Sequence, residues 1–123
     1  MPTCEVDWFN HDVMEFSYQG KVLLEDLRAM VQKSKQMMEI RVPKVQLVDT
    51  LAVTGVPPEI GAVLGELLEH YRVSGGKIIV MVASDQLNEM LGRSMSFSAG
   101  IKLELFDNRA DALNFVREQV AAA

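Results

Sequence analysis

A chain of 123 residues has the size of one domain and can bury roughly two-thirds of its unfolded surface, so its core needs neither disulfides nor metal. With 49% hydrophobic and 24% charged residues it reads as a globular chain, which excludes a disordered or low-complexity segment beyond a fraying C-terminal "AAA". The net charge of −5, with Lys and Arg scattered among acids as in "KVLLEDLR" and "EHYRVSGGK", excludes the clustered basic face of a nucleic-acid binder.

The first elements are "CEVDWF" and "VMEFSY", rich in β-branched and aromatic residues and separated by Asn10, His11 and Asp12. Asn and Asp favour tight turns, so the pair is expected to form a β-hairpin with Met14, Phe16 and Tyr18 on one face. Gly20 is expected to end the second strand. In "LLEDLRAMVQKSKQMME" the residues Leu23 or Leu24, Leu27, Met30, Val31, Ser34, Met37 and Met38 recur at helical spacing. Glu and Asp occupy the first turn, where the helix dipole favours them, and Pro43 closes the segment.

"KVQLVD" predicts the third strand, ending at Asp49. "PPEIGAVLGELLEHYR" predicts the second helix, with Pro58 in its first turn and a stripe of Ile60, Val63, Leu64, Leu67, Leu68 and Tyr71. Gly75 and Gly76 turn the chain into "KIIVMVAS", a continuous apolar run typical of a strand covered on both faces. Ser84 or Asp85 then caps a third helix running to about Ser94. "IKLELF" alternates, which predicts a strand with one wet face. Asp107 or Asn108 caps "RADALNFVREQV", whose stripe is Ala112, Leu113, Phe115 and Val116.

The order is therefore β-β-α-β-α-β-α-β-α in a single α/β domain over 1–123, with no linker or internal repeat. Strands alternating with helices demand right-handed crossovers and a mainly parallel sheet, made mixed by the hairpin.

Cys4, the single cysteine, has no partner for a disulfide and no second thiol for a metal site. His11 and His70 lack metal-ligand spacing, so neither metal nor cofactor is expected. The stretch through Phe16 carries charges where a signal peptide would be apolar, and the longest apolar run, "IIVMVA", is far too short to span a membrane. A reducing cytoplasmic setting is the simplest expectation. No Gly-x-Ser-x-Gly, P-loop or dinucleotide-binding glycine fingerprint is present. "VSGGK" has glycines and a lysine without the P-loop spacing or its following Ser/Thr. The chain is therefore expected not to be an enzyme.

This layout resembles the STAS/SpoIIAA-like superfamily, whose type member is an anti-sigma-factor antagonist. The resemblance rests on "YQGKVLLEDLRAMV", "VQLVDTLAVTGV", "LLEHYRVSGGKIIVMVAS" and "LELFDNRADALNFV", in that order, and covers essentially the whole chain. The opening "VDWFNHDVMEFSYQGKV" and the aromatic in "ALNFV" are similar to small uncharacterised bacterial SpoIIAA-like proteins, a group related to the CRAL-TRIO lipid-exchange fold. The resemblance implies a mixed five-stranded sheet with helices mostly on one side and a regulatory role through protein–protein contact. Phosphoregulated members place an acceptor Ser or Thr at the start of the second helix. The positions that match here are Pro57 and Pro58, which carry no hydroxyl and no N–H.

The candidate ligand-binding or regulatory residues are Asp49, Thr50 and Thr54 at the end of the third strand, with Ser84 and Asp85 at the end of the fourth. In open α/β sheets ligands bind at this end, and a helix N-terminus there favours an anion. The same residues also suit turn chemistry and helix capping. Gly61 and Gly65, one turn apart in "GAVLG", are candidates for a homodimer contact or for close packing inside the chain. Met30, Met37, Met38, Met90 and Met95 could form an adaptable groove for a small apolar or lipid-like ligand, or plain core. Trp8, Phe9 and Tyr18 could form a recognition patch or pack across the hairpin. The leading functional readings are a protein-contact module and a small-ligand carrier or sensor, with a hydrolase or transferase at the strand-end crevice third, and no role for nucleic acid or a membrane span.

Overall fold

The structure, a computed structural model, describes residues 2–84 and 100–122. Five strands, β1 (Cys4–Trp8), β2 (Val13–Lys21), β3 (Val45–Gly55), β4 (Ile78–Val82) and β5 (Lys102–Phe106), form one sheet in the order β1-β2-β3-β4-β5. β1 pairs antiparallel with β2, and β2 through β5 run parallel, as a hairpin followed by crossovers requires. The helices among the described residues are α1 (Leu24–Ile40), α2 (Ile60–Val73) and α3 (Arg109–Ala122). The helix expected between the fourth and fifth strands lies, apart from Ser84, outside the described residues, as do Asp85, Met90 and Met95.

Strand alternation divides the core into two layers. Val6, Met14, Phe16 and Ile79 face α1 and α2, which contribute Leu27, Met30, Leu64, Leu67 and Tyr71. Val13, Val45, Leu47, Ile78, Val80 and Val82 face the opposite side, where Ala112 and Val116 of α3 cover them. β4 is buried at every position because helices close over both of its faces. Among the described residues, two helices thus share one face while α3 holds the other.

The helical stripes fall where the 3.6-residue period puts them. All six apolar positions expected of α2 are buried, and in α1 Leu24 packs on the core while Leu23 stays exposed. Ser34, fully buried, satisfies its hydroxyl by donating to the Val31 carbonyl at 2.7 Å. Thr3 ties the N-terminus to α1, with both its N–H (2.9 Å) and its hydroxyl (2.8 Å) donating to Asp26 Oδ2. Asn108 is the cap of α3, its Oδ1 accepting the Asp111 N–H at 2.9 Å.

Three boundaries differ from expectation. β2 runs on to Lys21, because Gly20 (φ 63°) lets the strand bulge rather than stop. β3 runs on to Gly55, six residues beyond Asp49, pairing with that extension of β2. α2 starts at Ile60, so Pro57 and Pro58 precede the helix, and Ile60 N–H closes a turn onto the Pro57 carbonyl at 3.1 Å. β5 also lacks a clean wet face, since Leu103 packs on one layer and Phe106 meets Phe115 of α3 at a tilt of 45°, centroids 5.5 Å apart.

The chain re-enters the sheet from α2 through a tight contact. The ring of Tyr71, itself fully buried, lies against Gly76, where any Cβ would come within 2.2 Å of the ring. Its hydroxyl reaches the carbonyls of Pro43 and Ile78, each at 3.2 Å, joining the start of β3 to the start of β4.

Candidate functional site

Asp49 and Thr50 are neighbours in sequence but lie on opposite faces of β3, as successive strand residues must. Because the strand continues, neither sits at its end; they stand level with the end of β4, where Asp49 pairs with Val82. The expected crevice is therefore split into two separate environments.

On the α3 side, Arg109 Nη1 donates to Glu15 Oε2 at 2.6 Å and to Asp49 Oδ2 at 3.0 Å. All three groups are half-buried, and the Arg109 guanidinium stands 6.0 Å from the Phe9 ring centroid. The hydrogen bond to Glu15, and then the charges of Glu15 and Asp49, raise the Arg109 pKa above its ordinary value. Asp49 Oδ1 accepts the Leu51 N–H at 3.1 Å, so both carboxylate oxygens are engaged within the chain. This cluster joins β2, β3 and the start of α3.

On the other side, Thr50 is buried and its hydroxyl donates to the Val82 carbonyl at 2.9 Å. It lines an apolar cavity of about 60 Å³ beneath α2, together with Phe16, Tyr18, Gln46, Leu67 and Leu103. Tyr18 is 7% exposed and its phenol has no hydrogen-bond partner among the described residues; burial raises its pKa, so it stays protonated. Gln46, 1% exposed, makes one weak contact, from Nε2 to Met38 Sδ at 4.0 Å.

The remaining candidates are dispersed. Thr54 is exposed on the extension of β3, and Ser84 is exposed just beyond β4. At Gly61 and Gly65 an added Cβ would meet nothing within 4 Å among the described residues, so close packing against those residues does not account for them. Met30 and Met38 are core and Met37 packs against it; none of the three lines the cavity. The hairpin aromatics part company: Tyr18 is interior, Phe9 is 40% exposed, and Trp8 packs on the core under the Arg41 guanidinium, 4.1 Å from its ring centroid. Burial, foremost, and the charge of Asp26 push the Cys4 thiol up to about 11, which leaves no thiolate nucleophile at neutral pH. Among the described residues no three His, Cys, Asp or Glu side chains gather as metal ligands, and no helix is long and apolar enough to cross a membrane.

Sequence reasoning missed Arg109, Glu15 and Gln46. Nothing local marks the first two, since their meeting depends on tertiary structure. Gln46 did carry a signal: it is the one polar residue in the buried run "VQLV", a position that must face a core layer.

No family model matches this chain, and no curated protein does. Solved structures do. An uncharacterized protein of the DUF3478 family with a SpoIIAA-like fold, from Shewanella loihica PV-4, is 17% identical with a TM-score of 0.67, covering 91% of this chain and 90% of its own. An anti-sigma factor antagonist from Mycobacterium paratuberculosis is 18% identical with a TM-score of 0.61, covering 94% and 93%. The anti-sigma factor antagonist SpoIIAA in its unphosphorylated form is 6% identical with a TM-score of 0.73, covering 94% and 96%. The chain has the SpoIIAA-like fold.

Proposed function

We propose that this SpoIIAA-like chain is a non-catalytic, cytoplasmic regulatory module that acts through protein–protein contact, with a second copy of itself or a different partner. The observation that carries this reading is a whole-length fold shared with two anti-sigma factor antagonists, together with Pro57 and Pro58 immediately ahead of α2. Proline offers no hydroxyl to phosphorylate, so the contact would be constitutive at this junction rather than switched there. Gly61 and Gly65 support a contact on α2, because their open surface lets another backbone approach closely. Light scattering together with capture from a lysate of the source organism tests the reading. A clean monomer that retains no specific protein would sink it.

A second reading, a sensor of a small apolar ligand, is favoured by the cavity lined by Tyr18, Gln46 and Thr50. Its volume of about 60 Å³ holds roughly two waters and falls well short of the ~150 Å³ that admits benzene, so a lipid chain does not fit. Native mass spectrometry of gently purified protein tests it: reproducible extra mass supports a ligand, and none after small alcohols or phenols are offered removes it.

A further inference from the structure

We infer that the cavity beneath α2 takes one small neutral molecule bearing a hydroxyl or carbonyl oxygen, held at the end where Tyr18 and Thr50 stand side by side. The inference rests on the second reading above, a small-ligand sensor, and names the ligand's chemistry and the residues that select it.

The strand register places the polar groups of this cavity. Ser17 pairs with Asp49 and Gln19 with Ala52, so Tyr18 of β2 stands beside Thr50 of β3 at one end. Gln46 pairs with Ile79 and lines the other end, roughly 13 Å from Thr50 at the usual strand rise. The cavity holds about 60 Å³, so a molecule that fits inside meets one of these ends and not both.

The Tyr18 end is the one left unmade. Tyr18 is 7% exposed, and its hydroxyl makes no hydrogen bond among the described residues. Arg41 Nε is, among the described residues, the one side-chain polar atom that is both closed to water and unpartnered. The Tyr18 hydroxyl therefore faces open space rather than packed atoms, and the space its side chain lines is this cavity. Burial, and after it the Cys4 thiol, raise the phenol's pKa, so the hydroxyl keeps its proton and can donate. Thr50 uses its own proton on the Val82 carbonyl at 2.9 Å, which leaves oxygen lone pairs that accept. The pair thus offers one donor and one acceptor.

These walls select a class of occupant. Among the described residues no charged side chain lines the cavity, so an ion would be buried without a counter-charge. Water alone would find these two hydroxyls against Phe16, Leu64, Leu67 and Met81, where a buried water ordinarily has about three polar partners. A purely apolar occupant leaves the phenol unmade, and an unmade buried donor costs more than a made bond returns. A small alcohol or carbonyl compound meets both demands, with its oxygen on Tyr18 and its methyl group against the leucines. The volume sets the upper limit: at about two waters' share, a methanol-sized molecule fits and an alkyl chain does not.

The test is a titration of the full chain, read by methyl and amide chemical shifts, with methanol. Xenon serves as an apolar probe and formate as a charged one. Methanol should give saturable shifts confined to the cavity, and formate none. Tyr18→Phe should weaken methanol about three- to tenfold and leave xenon within about twofold. Gln46→Leu, at the far end, should leave methanol affinity unchanged. Thermal melting of both variants without added ligand confirms that they fold. Saturable xenon shifts without methanol shifts would overturn the hydroxyl recognition while leaving a small-ligand sensor standing. No saturable shift from either probe would overturn both. Formate binding as tight as methanol, equal methanol affinity in wild type and Tyr18→Phe, or a larger loss in Gln46→Leu than in Tyr18→Phe would also overturn the site.

Discussion

Arg109 and Asp49, sixty residues apart in the chain, meet at 3.0 Å, and through that contact the first turn of α3 is fastened to β3. The same guanidinium holds Glu15 of β2 at 2.6 Å, so one side chain spans two strands and a helix. Asp49 stood out in the sequence as a ligand candidate; in the fold its carboxylate is already engaged.

Arg109→Met should therefore destabilise the protein by about 1 kcal/mol, a modest figure because all three groups are partly solvated. Glu15→Gln should cost more than Asp49→Asn, following the shorter contact. Urea denaturation of the singles and of the Arg109/Glu15 double variant checks this: strict additivity would show the ion pair to be inert.

Tyr71 and Gly76 form the most demanding contact in the fold. Gly76→Ala drives a methyl into the ring at 2.2 Å and should cost about 1–3 kcal/mol, as overpacking of a rigid core does. Tyr71→Phe keeps the ring but loses the hydroxyl's bond to a main-chain carbonyl, about 1 kcal/mol. Thermal melting of the two variants should rank Gly76→Ala as the worse.

Asp26 gives a pH signature. The Thr3 N–H, first, and then the Thr3 hydroxyl lower its pKa below the ordinary 3.8. Its contribution is therefore complete above about pH 4, where the unfolded chain is also ionised, and is lost as pH falls through the lower folded value. Thr3→Val should melt below wild type at pH 6, and the gap should narrow toward pH 2. A gap independent of pH would mean that Thr3 acts through packing alone.

The cavity predicts an asymmetry between polar and apolar walls. Tyr18→Phe removes a hydroxyl that makes no hydrogen bond among the described residues and should be neutral or slightly stabilising. Leu67→Ala enlarges the cavity and should cost about 2–5 kcal/mol. Marked destabilisation in Tyr18→Phe would show that water or a ligand satisfies the phenol.

Much of this fold was legible because its signals are local. The α2 stripe from Ile60 to Tyr71, the apolar run of β4 and the hairpin turn at Asn10 to Asp12 each follow from neighbouring residues. The ends of β2 and β3 were not legible, because their extensions exist only by pairing with each other. Gly20 and Asp49 read as stops when each is taken alone. For the candidate site, strand alternation already required Asp49 and Thr50 to part, and the cap at Asn108 already placed Arg109 at the start of a helix. What no local pattern contains is the Glu15–Arg109–Asp49 meeting.

Gly61 and Gly65 bear on the functional proposal itself. Since none of the described residues lies within 4 Å of a Cβ at either position, alanine there should stabilise α2 by about 0.5–1 kcal/mol each. Chemical denaturation of the two single variants checks it, and destabilisation would reveal an intrachain approach at that surface.

The most direct measurement compares wild type with a Gly61→Trp/Gly65→Trp variant, using light scattering and capture from a lysate of the source organism. Wild type should form a dimer or retain one specific protein, and the variant should melt no lower yet lose that association. An association equally strong in both would contradict a contact on α2, and a wild-type monomer with no retained protein would contradict the contact function itself.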